Sequence, residues 1–198
     1  MAEVVLFHHV QGLTDGVRAF ADQLRAGGHT VHTPDLFDGQ LPATIDDGIA
    51  LVGSIGDETI DERVGRAIAG LPDGLVYAGF SFGGGVAQRL AQTRPGARGA
   101  LLYESFVSLT APWAFGPWPD GLTAQVHGME RDPFFALEGD LDAARELAEK
   151  VGADRVEVFV YPGDKHLFTD SSLPSYDADA AGEVLARSRE FLDRVGQA

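Results

Sequence analysis

Ser81 lies at the centre of the segment Gly79-Phe80-Ser81-Phe82-Gly83, after an apolar run at 75–78 and before a helix-like segment at 86–93. A serine on a sharp strand-to-helix turn needs small residues two positions to either side, because larger side chains would collide across the turn. The pattern predicts a nucleophile elbow that exposes the Ser81 hydroxyl. Taken alone, it also fits a glycine-rich turn in which Ser81 only caps a helix.

Two further residue types that acyl transfer requires follow later strand-like runs. Asp132 comes after the run at 122–126, and His166 comes after the run at 155–161. A serine hydroxyl is a weak nucleophile near neutral pH, so it needs an imidazole to take its proton and a carboxylate to orient that imidazole. We therefore predict a Ser81–His166–Asp132 triad, with Glu130 as the competing choice for the acid.

Apolar runs and helical periodicity alternate along the whole chain, which predicts an α/β fold. Helix 1 is expected to begin after Thr14 or Asp15 and to end at Gly27. The predicted strands are 4–8, 29–33, 75–80, 100–103, 122–126 and 155–161, and the later helices are 44–52, 58–70, 84–93, 140–151 and 177–195. We expect one α/β-hydrolase-type domain over residues 1–198, with a mostly parallel sheet of about six strands and helices on both faces. Because function sits at the carboxyl ends of such strands, Ser81, Asp132 and His166 should meet at one edge.

Composition excludes several classes of function. The chain has 15 Lys and Arg against 30 Asp and Glu, a net charge of −15, which argues against nucleic acid or an anionic membrane as partners. It has no cysteine, so disulfides, thiol catalysis and Cys-ligated zinc are excluded. The N-terminus enters a strand pattern without a basic leader, and no apolar run is long enough to span a membrane. We expect a cytoplasmic protein that needs no metal or cofactor; its oligomeric state is not set by the sequence.

The tetrahedral intermediate of acyl transfer needs backbone donors and an acyl pocket. The N–H of Phe82, directly after the nucleophile, should supply one oxyanion donor, and the loop after the first strand, residues 9–12, should supply the second. Segment 105–121 lacks a period and is rich in aromatics and proline, so it forms either a pocket wall or a cluster covering a sheet edge. The predicted substrate-binding side chains are His9, Gln11, Trp113, Phe115 and Trp118.

Over nearly its whole length the chain resembles the dienelactone hydrolase family of α/β-hydrolases. The matching segments are 4–12, 33–37, 79–84, 128–133 and 161–168. The most specific is Tyr161-Pro162-Gly163, followed after two residues by His166 and then Phe168. The resemblance implies a hydrolase of carboxylic esters or lactones, with Asp132 rather than Glu130 as the acid and Val10 as the second oxyanion donor.

Three positions depart from the family pattern. The family's type members have cysteine where this chain has Ser81, glutamate where it has His9, and a substrate-binding arginine where it has Asp170. These differences predict a serine nucleophile and a neutral acyl substrate, because an Asp170 carboxylate would repel a carboxylate on the substrate. A non-catalytic small-molecule binding protein on the same fold and an acyltransferase are the alternative functions.

Overall fold

A computed structural model describes residues 1–197 and contains one parallel sheet of six strands in the order β2-β1-β3-β4-β5-β6. Each neighbouring pair of strands runs parallel. Most strand residues are buried, as expected where helices cover both faces. The strands are β1 (Glu3–Phe7), β2 (Thr30–His32), β3 (Leu75–Phe80), β4 (Gly99–Tyr103), β5 (Ala124–Met129) and β6 (Val156–Tyr161).

Helices pack on both faces of the sheet, which confirms the predicted fold class. Helices α1 and α6 cover one face and α2 to α5 cover the other, each through an apolar stripe. Their bounds are α1 (Asp15–Ala26), α2 (Ile45–Ile55), α3 (Asp57–Ile68), α4 (Phe82–Thr93), α5 (Asp140–Val151) and α6 (Ala178–Val195). Within residues 1–197, none of the helices is long and apolar enough to cross a membrane.

Two element boundaries differ from the sequence-based prediction in ways that bear on function. Helix α4 begins at Phe82, two residues earlier than expected, so it starts directly after Ser81. Strand β5 continues to Met129 instead of ending at 126, because the polar His127 is satisfied inside the sheet by the Tyr161 hydroxyl at 2.9 Å. A buried polar residue with a partner does not end a strand.

The strand register aligns the carboxyl ends that carry the chemistry. Phe7 pairs with Gly79 across β1 and β3, and Phe80 pairs with Tyr103 across β3 and β4. On the other side of β4, Tyr103 pairs with His127 of β5, and Met129 pairs with Tyr161 of β6. The loops that follow β1, β3, β4, β5 and β6 therefore emerge at one edge of the sheet.

Candidate active site

Ser81 occupies the sharp turn between β3 and α4 with a backbone φ of 49° and ψ of −113°. A positive φ is uncommon for a residue other than glycine, so the turn is strained. A Cβ atom at Gly79 would lie 2.0 Å from the Gly83 carbonyl oxygen, and one at Gly83 would lie 2.5 Å from the carbonyl oxygens of Phe7 and His8. The two glycines thus let the turn close on itself and let α4 approach the end of β1.

The side chains of Ser81, His166 and Asp132 form one chain of hydrogen bonds. The Ser81 Oγ lies 2.8 Å from His166 Nε2, and His166 Nδ1 lies 2.7 Å from Asp132 Oδ2. Because a carboxylate only accepts, Nδ1–H donates to Asp132 and leaves Nε2 free to accept the serine proton. The structure therefore brings together the three side chains that the sequence predicted for the triad.

Asp132 is fully buried and oriented by backbone donors. Its Oδ1 accepts hydrogen bonds from the N–H groups of Phe134 at 2.9 Å and Phe135 at 3.1 Å, and its Oδ2 faces the histidine. Glu130, the competing acid, is exposed and pairs with the adjacent Arg131. The geometry thus places Asp132, and not Glu130, against the imidazole.

The two predicted oxyanion donors have free N–H groups. Within residues 1–197, no protein acceptor lies within hydrogen-bond reach of the Val10 N–H or the Phe82 N–H. Phe82 is the first residue of α4, where backbone donors have no partner inside the helix. Both groups are accordingly available to an oxygen atom of a ligand.

His9 and Gln11 are buried and bound to the protein. The Gln11 N–H donates to His9 Nδ1 at 3.1 Å, and His9 Nε2 lies 2.8 Å from Asp170 Oδ2. The Gln11 side-chain amide donates to the Ala43 carbonyl at 2.9 Å. With their polar atoms engaged in this way, the two side chains hold the loop after β1 in place.

Asp170 is a buried, well-satisfied anion at the N-terminus of α1. It accepts hydrogen bonds from Thr14 Oγ1 at 2.5 Å and from the N–H and hydroxyl of Ser172 at 2.7 and 2.6 Å. A Cβ at Gly16 would lie 1.7 Å from Asp170 Oδ1, so the missing side chain makes this approach feasible. Burial opposes ionisation, but hydrogen bonds from His9, Ser172 and Thr14 outweigh it and lower the pKa of Asp170 to about 2.

Segment 105–121 contributes both to the core and to a cavity. The Trp118 ring lies 6.4 Å from that of Phe106, and its Nε1–H donates to the Leu122 carbonyl at 3.1 Å. Phe115 lines a cavity of about 370 Å³ together with Phe82. Trp113 is 71% exposed. Of the three predicted substrate-binding aromatics in this segment, Trp118 therefore packs on the core, Phe115 borders the cavity and Trp113 faces solvent.

Glu104 is a buried acid in this region that the sequence analysis did not single out. It follows β4 with a φ of 56°, is 2% exposed, and its Oε1 accepts from the Thr169 N–H and hydroxyl. Its Oε2 has no partner within the described residues. Burial raises the pKa of Glu104 to about 7, with nearby His166 acting in the opposite direction. An acid directly after a fully apolar strand was the available signal.

Comparison with known proteins identifies the family. The model of the dienelactone hydrolase family matches residues 1–196, and the chain belongs to this family. No curated protein matches the chain.

Solved structures share the fold at low sequence identity. A dienelactone hydrolase-like promiscuous phosphotriesterase from metagenomic libraries is 21% identical, with a TM-score of 0.73 over 98% of this chain and 87% of that one. A thermophilic esterase from Thermogutta terrifontis is 17% identical, with a TM-score of 0.62 over 98% of this chain and 84% of that one. These neighbours show an α/β-hydrolase fold, and the family match identifies the chain as a member of a hydrolase family.

Proposed function

Starting from membership of the dienelactone hydrolase family, we propose that this protein hydrolyses carboxylic esters or lactones through an acyl-enzyme on Ser81. The observation that carries the proposal is the hydrogen-bond chain from Ser81 Oγ to His166 and on to Asp132, at 2.8 and 2.7 Å. These distances fit a nucleophile, its base and the group that orients the base.

Acylation begins when the Ser81 Oγ attacks the carbonyl carbon of the substrate. His166 Nε2 takes the serine proton, and the imidazolium that forms is stabilised by Asp132 through Nδ1–H. Collapse of the tetrahedral intermediate breaks the bond from the acyl carbon to the alkoxy oxygen. The leaving alkoxide receives the proton from His166 Nε2, so the acyl group remains on Ser81 and His166 returns to its neutral form.

Deacylation repeats these steps with water as the nucleophile. His166 takes a proton from water, the hydroxide attacks the acyl carbon, and the proton is returned to Ser81 Oγ as the carboxylic acid leaves. In both halves the negative oxygen of the intermediate is bound by the N–H groups of Val10 and Phe82, whose hydrogen-bonding capacity is free. Removing one oxyanion donor typically costs about 3 kcal/mol of transition-state stabilisation.

The surroundings favour an uncharged substrate. The cavity beside the elbow has an apolar side formed by Phe82, Phe115, Val86 and Ile60, which suits an apolar acyl group, and a charged rim formed by Asp57, Asp61 and Arg89. The net charge of −15 disfavours the approach of anionic substrates. We therefore propose short or aromatic neutral acyl esters and lactones as the substrate class.

The test combines covalent labelling with turnover. A fluorophosphonate probe should form an adduct on Ser81 that peptide mass spectrometry locates, and a panel of p-nitrophenyl esters and lactones should be hydrolysed. Ser81→Ala should abolish the adduct and lower kcat by roughly 10⁴-fold or more, since the variant lacks the nucleophile. A phosphotriester belongs in the panel because one structural neighbour is a promiscuous phosphotriesterase.

A matched serine provides the control. Ser188 is also buried, but its hydroxyl bonds to the Tyr103 hydroxyl at 2.9 Å in the core, and Ser188→Ala should keep both the adduct and turnover. A folded wild-type protein that neither labels nor turns over any ester, yet binds neutral esters saturably, would replace the proposal with a binding function.

A further inference from the structure

We propose that Asp170 is a positioning residue for the oxyanion hole, acting through His9 on the turn that presents the Val10 N–H. The inference rests on the proposed function, since it assigns how one part of that site is held. It concerns two buried side chains, those of His9 and Asp170. Their side chains lie 2.8 Å apart although they are separated by 161 positions in the chain.

The ring of His9 connects Asp170 to the backbone of the turn. Because the Gln11 N–H donates to Nδ1, that nitrogen carries a lone pair, and the proton of the neutral ring sits on Nε2. Nε2–H then donates to Asp170 Oδ2. One side chain thus bridges the carboxylate and the Gln11 amide, and neither bond survives if the ring rotates or changes tautomer.

The peptide that carries the Val10 N–H is held at its opposite end. The carbonyl oxygen of His9 accepts from the Gly12 N–H at 3.0 Å and from His8 Nδ1 at 2.7 Å, while His8 Nε2 accepts from the Leu36 N–H at 3.0 Å. In a trans peptide the N–H points away from the carbonyl oxygen of the same plane. Fixing the His9 carbonyl therefore fixes the direction of the Val10 N–H.

Helix α2 supports the turn from another side. A Cβ atom at Gly48 would lie 2.2 Å from the Val10 carbonyl oxygen, so the helix and the turn are in close contact. The Gln11 side chain also bonds to the Ala43 carbonyl, just before α2. The turn is therefore packed between α2 and Asp170, and removing either support should let the donor move.

Asp170 is also part of the loop that carries His166. The Asp170 N–H donates to the Leu167 carbonyl at 3.2 Å, and Leu167 has a φ of 58°. The carboxylate is further anchored to α1 through Thr14. One buried anion thereby sets the distance between the proton-accepting histidine and the oxyanion donor.

The experiment measures transition-state binding separately from substrate binding. His9→Phe keeps a planar ring but removes both ring nitrogens, and it should lower kcat by roughly 10- to 100-fold with KM within about threefold. Affinity for a trifluoromethyl ketone, whose serine adduct carries an oxyanion, should fall by a similar factor. The matched control is His32→Phe, which removes another histidine–carboxylate pair, His32 to Glu3 at 2.8 Å, and should leave all three constants unchanged.

Two additional measurements separate positioning from a general structural role. His9→Gln retains an acceptor oxygen and a donor amide, so it should recover at least part of the lost kcat. In the His9→Phe background, Asp170→Asn should lower kcat little further, because the two residues act as one unit. The proposal would be overturned if the losses of kcat from His9→Phe and Asp170→Asn were additive in the double variant. It would also be overturned if His9→Phe lost thermal stability but kept its affinity for the ketone.

The tautomer can be observed without any activity. Nitrogen-15 NMR of the wild-type protein should show His9 protonated on Nε2 and unprotonated on Nδ1. A proton on Nδ1 would overturn the proposal even in an active enzyme. If the tautomer is as assigned but no ester is hydrolysed and no ketone binds, the proposed function fails while the hydrogen-bond chain from Asp170 to the turn stands.

Discussion

Glu104 and Asp170 are both buried acids at the loop that carries His166, Asp170 within it and Glu104 against it, yet their surroundings differ. Asp170 accepts hydrogen bonds from Thr14, His9 and Ser172 at the N-terminus of α1. Glu104 has only Thr169 as a donor, and one of its oxygens has no partner within the described residues. Burial raises the pKa of both carboxyl groups. For Asp170 the hydrogen bonds outweigh burial and lower the pKa to about 2, whereas for Glu104 burial dominates and raises the pKa to about 7.

The comparison teaches that solvent exposure alone does not predict the charge of a carboxyl group. Both side chains are 2% exposed. Asp170 has several donors aimed at its carboxylate and is ionised at every working pH. Glu104 has a donor residue on one oxygen only and titrates near neutrality. Asp170 should therefore stabilise the fold, and Glu104 should cost stability once it is ionised.

The largest expected effect is the loss of the satisfied anion. Asp170→Ala leaves the His9 Nε2–H, the Thr14 hydroxyl and the Ser172 donors without their acceptor, and should lower the free energy of unfolding by about 3–5 kcal/mol at neutral pH. Urea denaturation followed by circular dichroism measures this. A loss below about 1 kcal/mol would mean that Asp170 does not hold the loops together.

Asp170→Asn gives a milder version of the same test. The amide keeps one acceptor oxygen but loses the charge. The folded-state pKa of Asp170 is below its ordinary value of 3.8, so the charge contributes stability that is present above that value and is lost as pH falls through about 2. The difference between wild type and Asp170→Asn should accordingly be constant from about pH 5 to 8 and shrink only in stronger acid.

The next effect is a gain of stability on removing the poorly satisfied acid. The pKa of Glu104 is about 7 in the folded protein against an ordinary 4.5, so the folded state binds the proton more tightly. The contribution of Glu104 to the free energy of unfolding is fully present below pH 4.5 and is lost as the pH rises through about 7. Above that pH the free energy of unfolding is lower by roughly 3 kcal/mol. Glu104→Gln, which stays neutral, should be more stable than wild type at about pH 8 and should lose that advantage at about pH 4.

Glu130→Gln is the matched control for this pH dependence. Glu130 is exposed and pairs with Arg131, so its substitution should give a small change that is nearly independent of pH. Chemical denaturation at several pH values measures all three proteins. A Glu104→Gln variant with the same pH profile as wild type would show that folding does not raise the pKa of Glu104, contrary to the comparison.

The sequence predicted the scaffold and the three aligned side chains, but not these environments. Glycine spacing and alternation of strands and helices were enough for Ser81, Asp132 and His166, because the chemistry requires those residue types at strand ends. Asp170 was read as a charge that repels a substrate carboxylate, whereas it is 2% exposed and bound to His9, Thr14 and Ser172. Two of its partners, His9 and Thr14, lie more than 150 positions away, and the approach of α1 depends on the gap left by Gly16, so no local pattern encodes these contacts.

The same limit applies to Glu104 and to the aromatic segment. Glu104 follows an apolar strand, and only the packed structure reveals that one of its oxygens has no donor. Trp113, Phe115 and Trp118 lie within six positions of one another, yet one is exposed, one lines a cavity and one packs on the core. Composition identified the segment as important, whereas the direction of each side chain depends on irregular backbone that propensities do not describe.

The smallest predicted effect tests the comparison through two hydroxyl groups. Thr169 Oγ1 donates to Glu104 at 3.1 Å, and Ser172 Oγ donates to Asp170 at 2.6 Å. Thr169→Val and Ser172→Ala should each lower the free energy of unfolding by about 1 kcal/mol at pH 8. At about pH 5 the loss for Thr169→Val should shrink, because protonated Glu104 needs a donor less, while the loss for Ser172→Ala should persist because Asp170 is still ionised. If the loss of stability depends on pH in the same way in the two variants, Glu104 and Asp170 ionise over the same pH range. Their hydrogen-bond donors would then not account for different pKa values.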